Sequence, residues 1–294
     1  MNKISYIKSF IVGFFMGTFD LIPGISGGTI AFISGIYMRF IESVKNINFK
    51  NCLLLIKDLI CFNFKKFYQR SVSLEFDFLA FLTIGILTSL IFMSKIVLYL
   101  FNNYNFLFVS VMIGFIFFSI SVIISHVKNK SLLNKCFFAL GFLLALMLFL
   151  LDPKIFEINY VFIFWGGFFA SFAMFLPGVS GSYVLVIIGL YEFMLNNLQN
   201  LSENLHYVFI FGLGVLLGIM FASRFIDFLF KKDKCKTLLF LAGLVVGSLI
   251  IPLNNLHSSF NLYSIENFLY FLICVIIGVV LMPLLGLIKN KILN

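Results

Sequence analysis

The sequence PGISGGT at residues 23–29 recurs in altered form as PGVSGSY at residues 177–183. An ungapped alignment of residues 10–38 with residues 164–192 contains 11 identities in 29 positions. Several identities fall on proline, glycine and serine, which shared hydrophobicity does not explain. Because proline ends a helix and glycine permits tight turns, each copy predicts a helical hairpin, in which a break joins two apolar pieces of about a dozen residues.

A second repeat follows each hairpin. At an offset of 129 residues, glycine, phenylalanine and serine recur in pairs such as Gly85 and Gly214. The single transmembrane domain of residues 1–294 therefore divides into two related halves, residues 8–152 and 158–290. Each half holds one hairpin and about three spans. Because an odd number of crossings ends on the other side of the membrane, the second half would have the opposite orientation in the membrane. Such an inverted-topology repeat is typical of alternating-access transporters.

The composition predicts that the main solvent of this chain is lipid. Hydrophobic residues make up 62% of the sequence and charged residues only 11%, a balance that the surface of a soluble domain does not tolerate. Several apolar stretches reach the ~20 residues that a membrane-spanning helix needs. We therefore expect an all-α polytopic membrane protein with spans near residues 78–100, 106–125, 133–151, 206–226, 237–253 and 267–288.

The net charge of +9 indicates membrane topology and not nucleic-acid binding. With the N-terminus inside, 19 of the 21 basic residues fall in inner segments, as the positive-inside rule requires. This predicts a bacterial cytoplasmic membrane protein with both termini cytoplasmic, provided that the two hairpins are re-entrant. The basic and leucine-rich linker at residues 43–77 is either an amphipathic helix on the inner leaflet or a loosely ordered loop.

No metal, cofactor or disulfide is predicted. The five cysteines and three histidines lack the spacing of metal ligands, and no catalytic residue is assigned.

The hairpin breaks are the predicted ligand site. The free amides and the positive dipole end at the start of a returning half-helix suit a phosphate or carboxylate, although the same residues could simply build a sharp turn. The predicted phosphate-binding residues are Ser26, Gly27, Gly28, Thr29, Ser180, Gly181 and Ser182, and the predicted turn residues are Pro23, Gly24, Pro177 and Gly178.

Charged residues near the hairpins complete the predicted site. Lys95 and Arg224 occupy equivalent positions in the second repeat, and Arg39 follows the first hairpin. We predict that these cations meet an anionic headgroup, because charge within a membrane is costly; snorkelling explains any one of them alone. Asp20 has no acidic counterpart in the second half, where Met174 aligns. It is an ion-coupling group, a partner for Lys95, Arg39 or Arg224, or a carboxyl bonded to nearby hairpin amides.

These motifs resemble one bacterial family. The segments GTFDLIPGISGGT at residues 17–29 and AMFLPGVSGS at residues 173–182, followed by GIY and GLY, are similar to those of undecaprenyl-phosphate (polyprenyl-phosphate) translocases. Thr18 departs from the smaller residue that is usual there. The resemblance implies a protein that binds a polyprenyl-phosphate lipid and returns it from the outer to the inner leaflet, so that envelope synthesis can reuse it.

Two other functions fit part of the pattern. An intramembrane undecaprenyl-diphosphate phosphatase also uses duplicated hairpins, but that family needs an arginine after the serine of its second motif. Here glycine follows both Ser26 and Ser180. No cation therefore stands next to the serine to stabilise the charge that develops during hydrolysis. A transporter of a small soluble anion could use the same amides.

Overall fold

The computed structural model describes residues 3–21, 26–128, 131–151, 157–199, 201–259 and 265–291. All regular structure within these ranges is α-helical, which confirms the predicted class. The helices are α1 (Lys3–Asp20), α2 (Gly27–Ile33), α3 (Tyr37–Lys45), α4 (Phe49–Ile60), α5 (Phe64–Ser73), α6 (Phe76–Asn103), α7 (Asn105–Ser125), α8 (Leu132–Leu150), α9 (Tyr160–Met174), α10 (Gly181–Ile187), α11 (Tyr191–Gln199), α12 (Leu201–Lys232), α13 (Lys234–Ser248), α14 (Ile250–Ser259) and α15 (Ile265–Lys291).

Among the described residues, four stretches are long and apolar enough to cross a membrane. They are Phe76–Asn103, Asn105–Ser125, Asn204–Lys232 and Lys234–Asn254. The spans predicted at residues 133–151 and 267–288 coincide with shorter apolar stretches, Asn134–Leu150 and Asn267–Leu281. The chain is thus an all-helical protein with the helices of a membrane protein.

The two predicted hairpins have unequal arms. The first arms, α1 and α9, contain 18 and 15 residues, whereas the returning arms, α2 and α10, contain seven each. The expectation of two similar pieces was therefore wrong. The returning arm is short because Gly35 and its equivalent Gly189 both have a φ of 72°, a left-handed conformation that ends a helix.

The helix ends after both returning arms have the same hydrogen bonds. Ile36 donates its amide to the carbonyl of Ala31 at 3.0 Å, and Leu190, 154 residues further on, donates to Leu185 at 2.9 Å. Each is the long hydrogen bond of a Schellman motif. The next helices, α3 and α11, both contain nine residues and begin at equivalent tyrosines.

Close helix packing at equivalent glycines joins α1 to α6 and α9 to α12. A Cβ on Gly85 of α6 would lie 2.2 Å from the carbonyl oxygen of Phe10 on α1. A Cβ on Gly214 of α12 would lie 2.0 Å from that of Phe164 on α9. Helices α1 and α6, like α9 and α12, therefore touch through their backbones, as small residues permit in membrane proteins.

Two further helix pairs repeat this arrangement. A Cβ on Gly114 of α7 would lie 2.2 Å from the carbonyl oxygen of Val275 on α15, and one on Gly243 of α13 would lie 2.1 Å from that of Phe138 on α8. Glycine contacts thus join α7 to α15 and α8 to α13.

The linker at residues 43–77 is largely helical. Helices α4 and α5 are joined through Arg70, whose Nε lies 2.9 Å from Asp58 Oδ2. Apolar side chains including Ile56, Ile60 and Phe62 are exposed on this pair. Its location on a membrane surface stays a prediction.

Candidate functional site between the two hairpins

In the first hairpin, the backbone amides donate hydrogen bonds to groups of the hairpin itself. The Gly27 amide donates to Asp20 Oδ1 at 2.6 Å, and the Gly28 amide donates to Ser26 Oγ at 3.2 Å. The Thr29 amide donates to the carbonyl of Ser26 at 2.9 Å. In this conformation, the three amides that the sequence assigns to phosphate therefore already have acceptors. The turn residues Pro23 and Gly24 lie outside the described residues.

The two carboxylate oxygens of Asp20 differ in their hydrogen bonding. Its Oδ2 atom is buried and has no hydrogen-bond partner within the described part of the chain. A Cβ at position 27 would lie only 2.6 Å from this oxygen, so the carboxylate approaches the hairpin closely because Gly27 has no side chain. An unpaired buried carboxylate is costly unless it binds a proton or a cation.

The second hairpin presents free donors. Gly178 has a φ of +86°, and a Cβ there would lie 2.7 Å from the Cα atom of Val245, so the turn requires glycine. Ser180 does not cap α10 with its side chain; its hydroxyl lies 2.8 Å from that of Ser182. Within the described residues, the amides of Gly181 and Ser182 have no acceptor.

Residues of both hairpins line one cavity. Asp20 and the segment 180–182 face an open cavity of about 310 Å³. Apolar side chains of α6 and α12, such as Ile86 and Val215, form other walls together with α9. Two residue groups that are far apart in sequence, and that sequence analysis singled out separately, therefore belong to one site.

The first hairpin and the following helix α3 also contact the second hairpin directly. The Tyr37 hydroxyl donates to the carbonyl of Phe175 at 2.8 Å, and the rings of Phe40 and Phe175 stack with their centroids 5.1 Å apart. A Cβ on Gly28 would lie 3.3 Å from the carbonyl oxygen of Met174, the residue equivalent to Asp20. The cavity is thus bounded by a tight contact between the halves.

The three predicted cations do not line this cavity. Arg39 Nε pairs with Glu75 Oε2 at 2.7 Å, and its guanidinium lies 4.2 Å from the centre of the Phe78 ring. Arg224 donates to the carbonyl of Met220 at 2.7 Å, and Lys95 is exposed on α6.

Sequence analysis missed an ion pair between the halves, whose acid is buried and whose lysines are partly exposed. Asp227 on α12 is 3% exposed, and its Oδ2 accepts hydrogen bonds from Lys45 on α3 and from Lys231. An acid in an apolar helix, four residues before a lysine, was the available signal. The partner on α3 could not be read from local spacing.

The cavity is lined by residues with hydroxyl and amide donors at one hairpin and by an acidic residue, Asp20, at the other. Among the described residues, no group of three histidines, cysteines or acids could hold a metal ion. Among the described residues that line the cavity, none is basic. A polytopic helical protein whose largely apolar cavity carries a few polar groups between two hairpins has the build of a membrane transporter.

Comparison with known proteins identifies the family. Residues 16–268 match the model of the undecaprenyl phosphate translocase-like family, and the chain belongs to that family. It is 31% identical to a polyprenyl-phosphate transporter of Vibrio cholerae over 248 residues, which cover 84% of this chain and 78% of that protein. It is 28% identical to a polyprenyl-phosphate transporter of Staphylococcus aureus, with 97% and 98% of the two chains covered. No solved structure matches the chain.

Proposed function

We propose that this protein returns undecaprenyl phosphate from the outer to the inner leaflet of the bacterial cytoplasmic membrane by alternating access. The observation that carries the proposal is the single cavity shared by Asp20 and by the Ser180-Gly181-Ser182 segment. Its family membership and its relatives, which are named polyprenyl-phosphate transporters, support the substrate class. A return to the inner leaflet would let envelope synthesis reuse the lipid.

In this proposal, the second hairpin binds the phosphate in the conformation described here. The amides of Gly181 and Ser182 and the hydroxyls of Ser180 and Ser182 are donors at the cavity wall, and fixed amide donors suit an anion. The polyprenyl chain would extend from the open cavity into lipid. The equivalent amides of the first hairpin would take over in another conformation, once Asp20 releases Gly27.

Three cations outside the cavity remain proposed phosphate contacts: Lys95, Arg224 and Arg39. Lys95 and Arg224 stand at repeat-equivalent positions, one in each half, so each would attract the headgroup before it enters or after it leaves. A cation close to a membrane surface attracts anionic lipid by about 1 kcal/mol.

Asp20 is the proposed ion-coupling group. A carboxylate and a phosphate in one cavity repel each other unless a proton or cation neutralises the carboxylate. The unpartnered Oδ2 of Asp20 supplies a position for that ion. Binding of the lipid and binding of the ion would therefore favour each other.

An inverted repeat is the proposed basis of the two conformations. The four glycine contacts support it, because α1–α6 corresponds to α9–α12 and α7–α15 corresponds to α13–α8, and in each correspondence the two glycines stand 129 residues apart. Each half would contribute a re-entrant hairpin and three spans. The basic inner segments support a cytoplasmic location of both termini.

The conformation described here is asymmetric between the halves. Helix α3 packs on α12 of the other half, whereas its equivalent α11 packs within its own half on α10 and α12 and has no comparable packing on α6 among the described residues. In an inverted repeat, the second conformation arises when the two halves exchange their arrangements. Helix α11 would then pack on α6, and α3 would leave α12. In that conformation, Tyr191 would donate to the carbonyl of Leu21, as Tyr37 does to Phe175 here.

Reconstitution of the purified protein into vesicles tests this function. We expect labelled undecaprenyl phosphate to change leaflet in a leaflet-resolved assay, and a polyprenyl phosphate to co-purify with the protein. Lys95→Ala and Arg224→Ala should each weaken binding by about fivefold, since one surface cation contributes about 1 kcal/mol. Unchanged binding in both variants would remove these cations from the site.

Two control measurements separate the other functions. Release of inorganic phosphate from undecaprenyl diphosphate would establish a phosphatase, and uptake of a soluble anion without movement of the lipid would establish a small-anion transporter. Neither result is expected.

A further inference from the structure

A second and larger cavity lies away from the hairpins, beside the turn between α12 and α13. Its volume is about 520 Å³. Its apolar lining comes from Phe137 and Leu140 of α8, from Phe225 and Leu229 of α12 and from Phe240 of α13. Phe137, Leu140 and Phe225 are each more than a third exposed, so the cavity is a lateral groove that opens to the surroundings of the helices.

The groove is charged at one end only. Lys232, Asp233 and Lys236 line it at the turn. Phe225 lies seven residues before Lys232 on α12, so the apolar part extends about 10 Å along the helix from the charged end. A polar end followed by an apolar channel has the shape of a single amphiphile.

The two lysines border the groove from different helices. Lys232 Nζ lies 5.8 Å from the centre of the Phe228 ring, and Lys236 Nζ lies 5.7 Å from that of Phe137. Lysine stems commonly cover apolar surface in this way and keep the ammonium group at the polar edge. Both charges are therefore located where a headgroup would lie.

The charge of the groove selects the headgroup. Asp233 accepts hydrogen bonds from the Lys236 amide at 3.0 Å and pairs with the Lys236 side chain at 3.1 Å. These bonds lower the pKa of Asp233, so it is ionised at neutral pH. Two ammonium groups and one carboxylate leave one net positive charge, which matches a phosphodiester better than a phosphate monoester of charge −1.5 to −2.

We infer that this groove binds one anionic glycerophospholipid, with its phosphodiester at Lys232 and Lys236 and an acyl chain between α8 and α12. The site is distinct from the hairpin cavity and does not depend on the transported substrate. Under the proposed orientation, the basic turn between α12 and α13 faces the cytoplasm, so the lipid comes from the inner leaflet.

Native mass spectrometry of the full-length protein tests the site. The protein is mixed with phosphatidylglycerol or with phosphatidylcholine of the same acyl chains, and the retained lipid is counted. We expect selective retention of one phosphatidylglycerol. The double variant Lys232→Gln/Lys236→Gln should weaken this retention by about 25-fold, because each lysine near a membrane surface contributes about a factor of five.

Two further variants make the test specific. Leu140→Trp would fill the groove and should also abolish retention, although it leaves every charge in place. Lys234→Gln is the matched control, because Lys234 is exposed in the same turn but does not line the groove; it should behave like the unmodified protein.

Three results would overturn the inference. They are equal retention of the two phospholipids, retention that survives both the double variant and Leu140→Trp, and displacement of phosphatidylglycerol by polyprenyl phosphate with the same dependence on the lysines. The last result would make the groove a substrate site. Loss of lipid flipping alone, with phosphatidylglycerol retention unchanged, would count against the proposed function and not against this site.

Discussion

Asp20 is held in the first hairpin by one hydrogen bond, from the Gly27 amide to Oδ1, while Oδ2 has no partner within the described residues. The two oxygens therefore have different roles. One satisfies a buried amide of the turn, and the other is the proposed position of the coupling ion. A substitution that keeps the first role and removes the charge can separate them.

Asp20→Asn is that substitution. The asparagine oxygen can still accept from Gly27, so we expect normal folding and an unfolding temperature that is unchanged or slightly higher. Concentrative movement of undecaprenyl phosphate should be lost, because the side chain no longer binds a proton or cation. The leaflet-resolved assay under an imposed ion gradient measures this.

Two further variants, Glu192→Gln and Asp20→Ala, are compared with Asp20→Asn. Glu192→Gln removes an exposed acid on α11 and should leave transport unchanged. Asp20→Ala should additionally cost about 1–3 kcal/mol of stability, because the Gly27 amide loses its acceptor. Normal concentrative transport by Asp20→Asn would end the coupling proposal.

Helices meet through glycines in this protein, and the tolerance of each glycine follows from what its missing Cβ would touch. On α12, a Cβ at position 214 would lie 2.0 Å from the carbonyl oxygen of Phe164, whereas one at position 212 would have no atom within 4 Å. Both positions lie on the same helix, two residues apart. Only one of them lies at the contact with α9.

Gly214→Ala should therefore destabilise the protein by about 1–3 kcal/mol, the usual cost of overpacking a rigid contact. Thermal unfolding in detergent measures the loss. Gly212→Ala is the matched control and should be neutral or slightly stabilising, because alanine favours a helix by up to about 1 kcal/mol over glycine. Equal stability of the two variants would show that α9 and α12 do not pack as described.

The protein as a whole is held in one conformation by contacts between its halves. The Tyr37–Phe175 hydrogen bond has a potential equivalent in Tyr191 and Leu21. The Lys45–Asp227 pair has none, because Gln199 and Leu98 occupy the corresponding positions. This ion pair stabilises only the conformation in which α3 packs on α12, and it therefore biases the proposed exchange.

Asp227→Asn should shift that exchange toward the other conformation. Spin labels at Glu42 and Lys234 should move apart, while labels at Glu192 and Asn102 should approach each other. A rise of the second population by about tenfold corresponds to a loss of about 1.4 kcal/mol. Electron-spin distance distributions report both pairs.

Lys231→Gln is the control for this prediction, because Lys231 pairs with Asp227 from the same helix and does not join the halves. Its distance distributions should match those of the unmodified protein. If Asp227→Asn changes neither distance, the ion pair does not control the exchange.

Much of the architecture was predictable from the sequence because its signals are local. Hydrophobic stretches long enough to span lipid predicted the helices, and paired Pro-Gly-x-Ser motifs predicted the breaks. The unequal lengths of the hairpin arms were not predicted, since they depend on where Gly35 and Gly189 adopt left-handed geometry. The pairing of Arg39 with Glu75, 36 residues away, was not predicted either, because no local pattern links the two residues.

The sequence by itself determined that this protein is helical, lipid-embedded and duplicated, because those properties follow from composition and short-range order. Only the tertiary structure decided that Asp20 shares a cavity with the second hairpin and that Lys45 pairs with Asp227, 182 residues away. Such contacts depend on how whole helices pack, and several packings satisfy the same apolar pattern. Backbone contact at a few glycines selects one of them, and with it the groups that face the site.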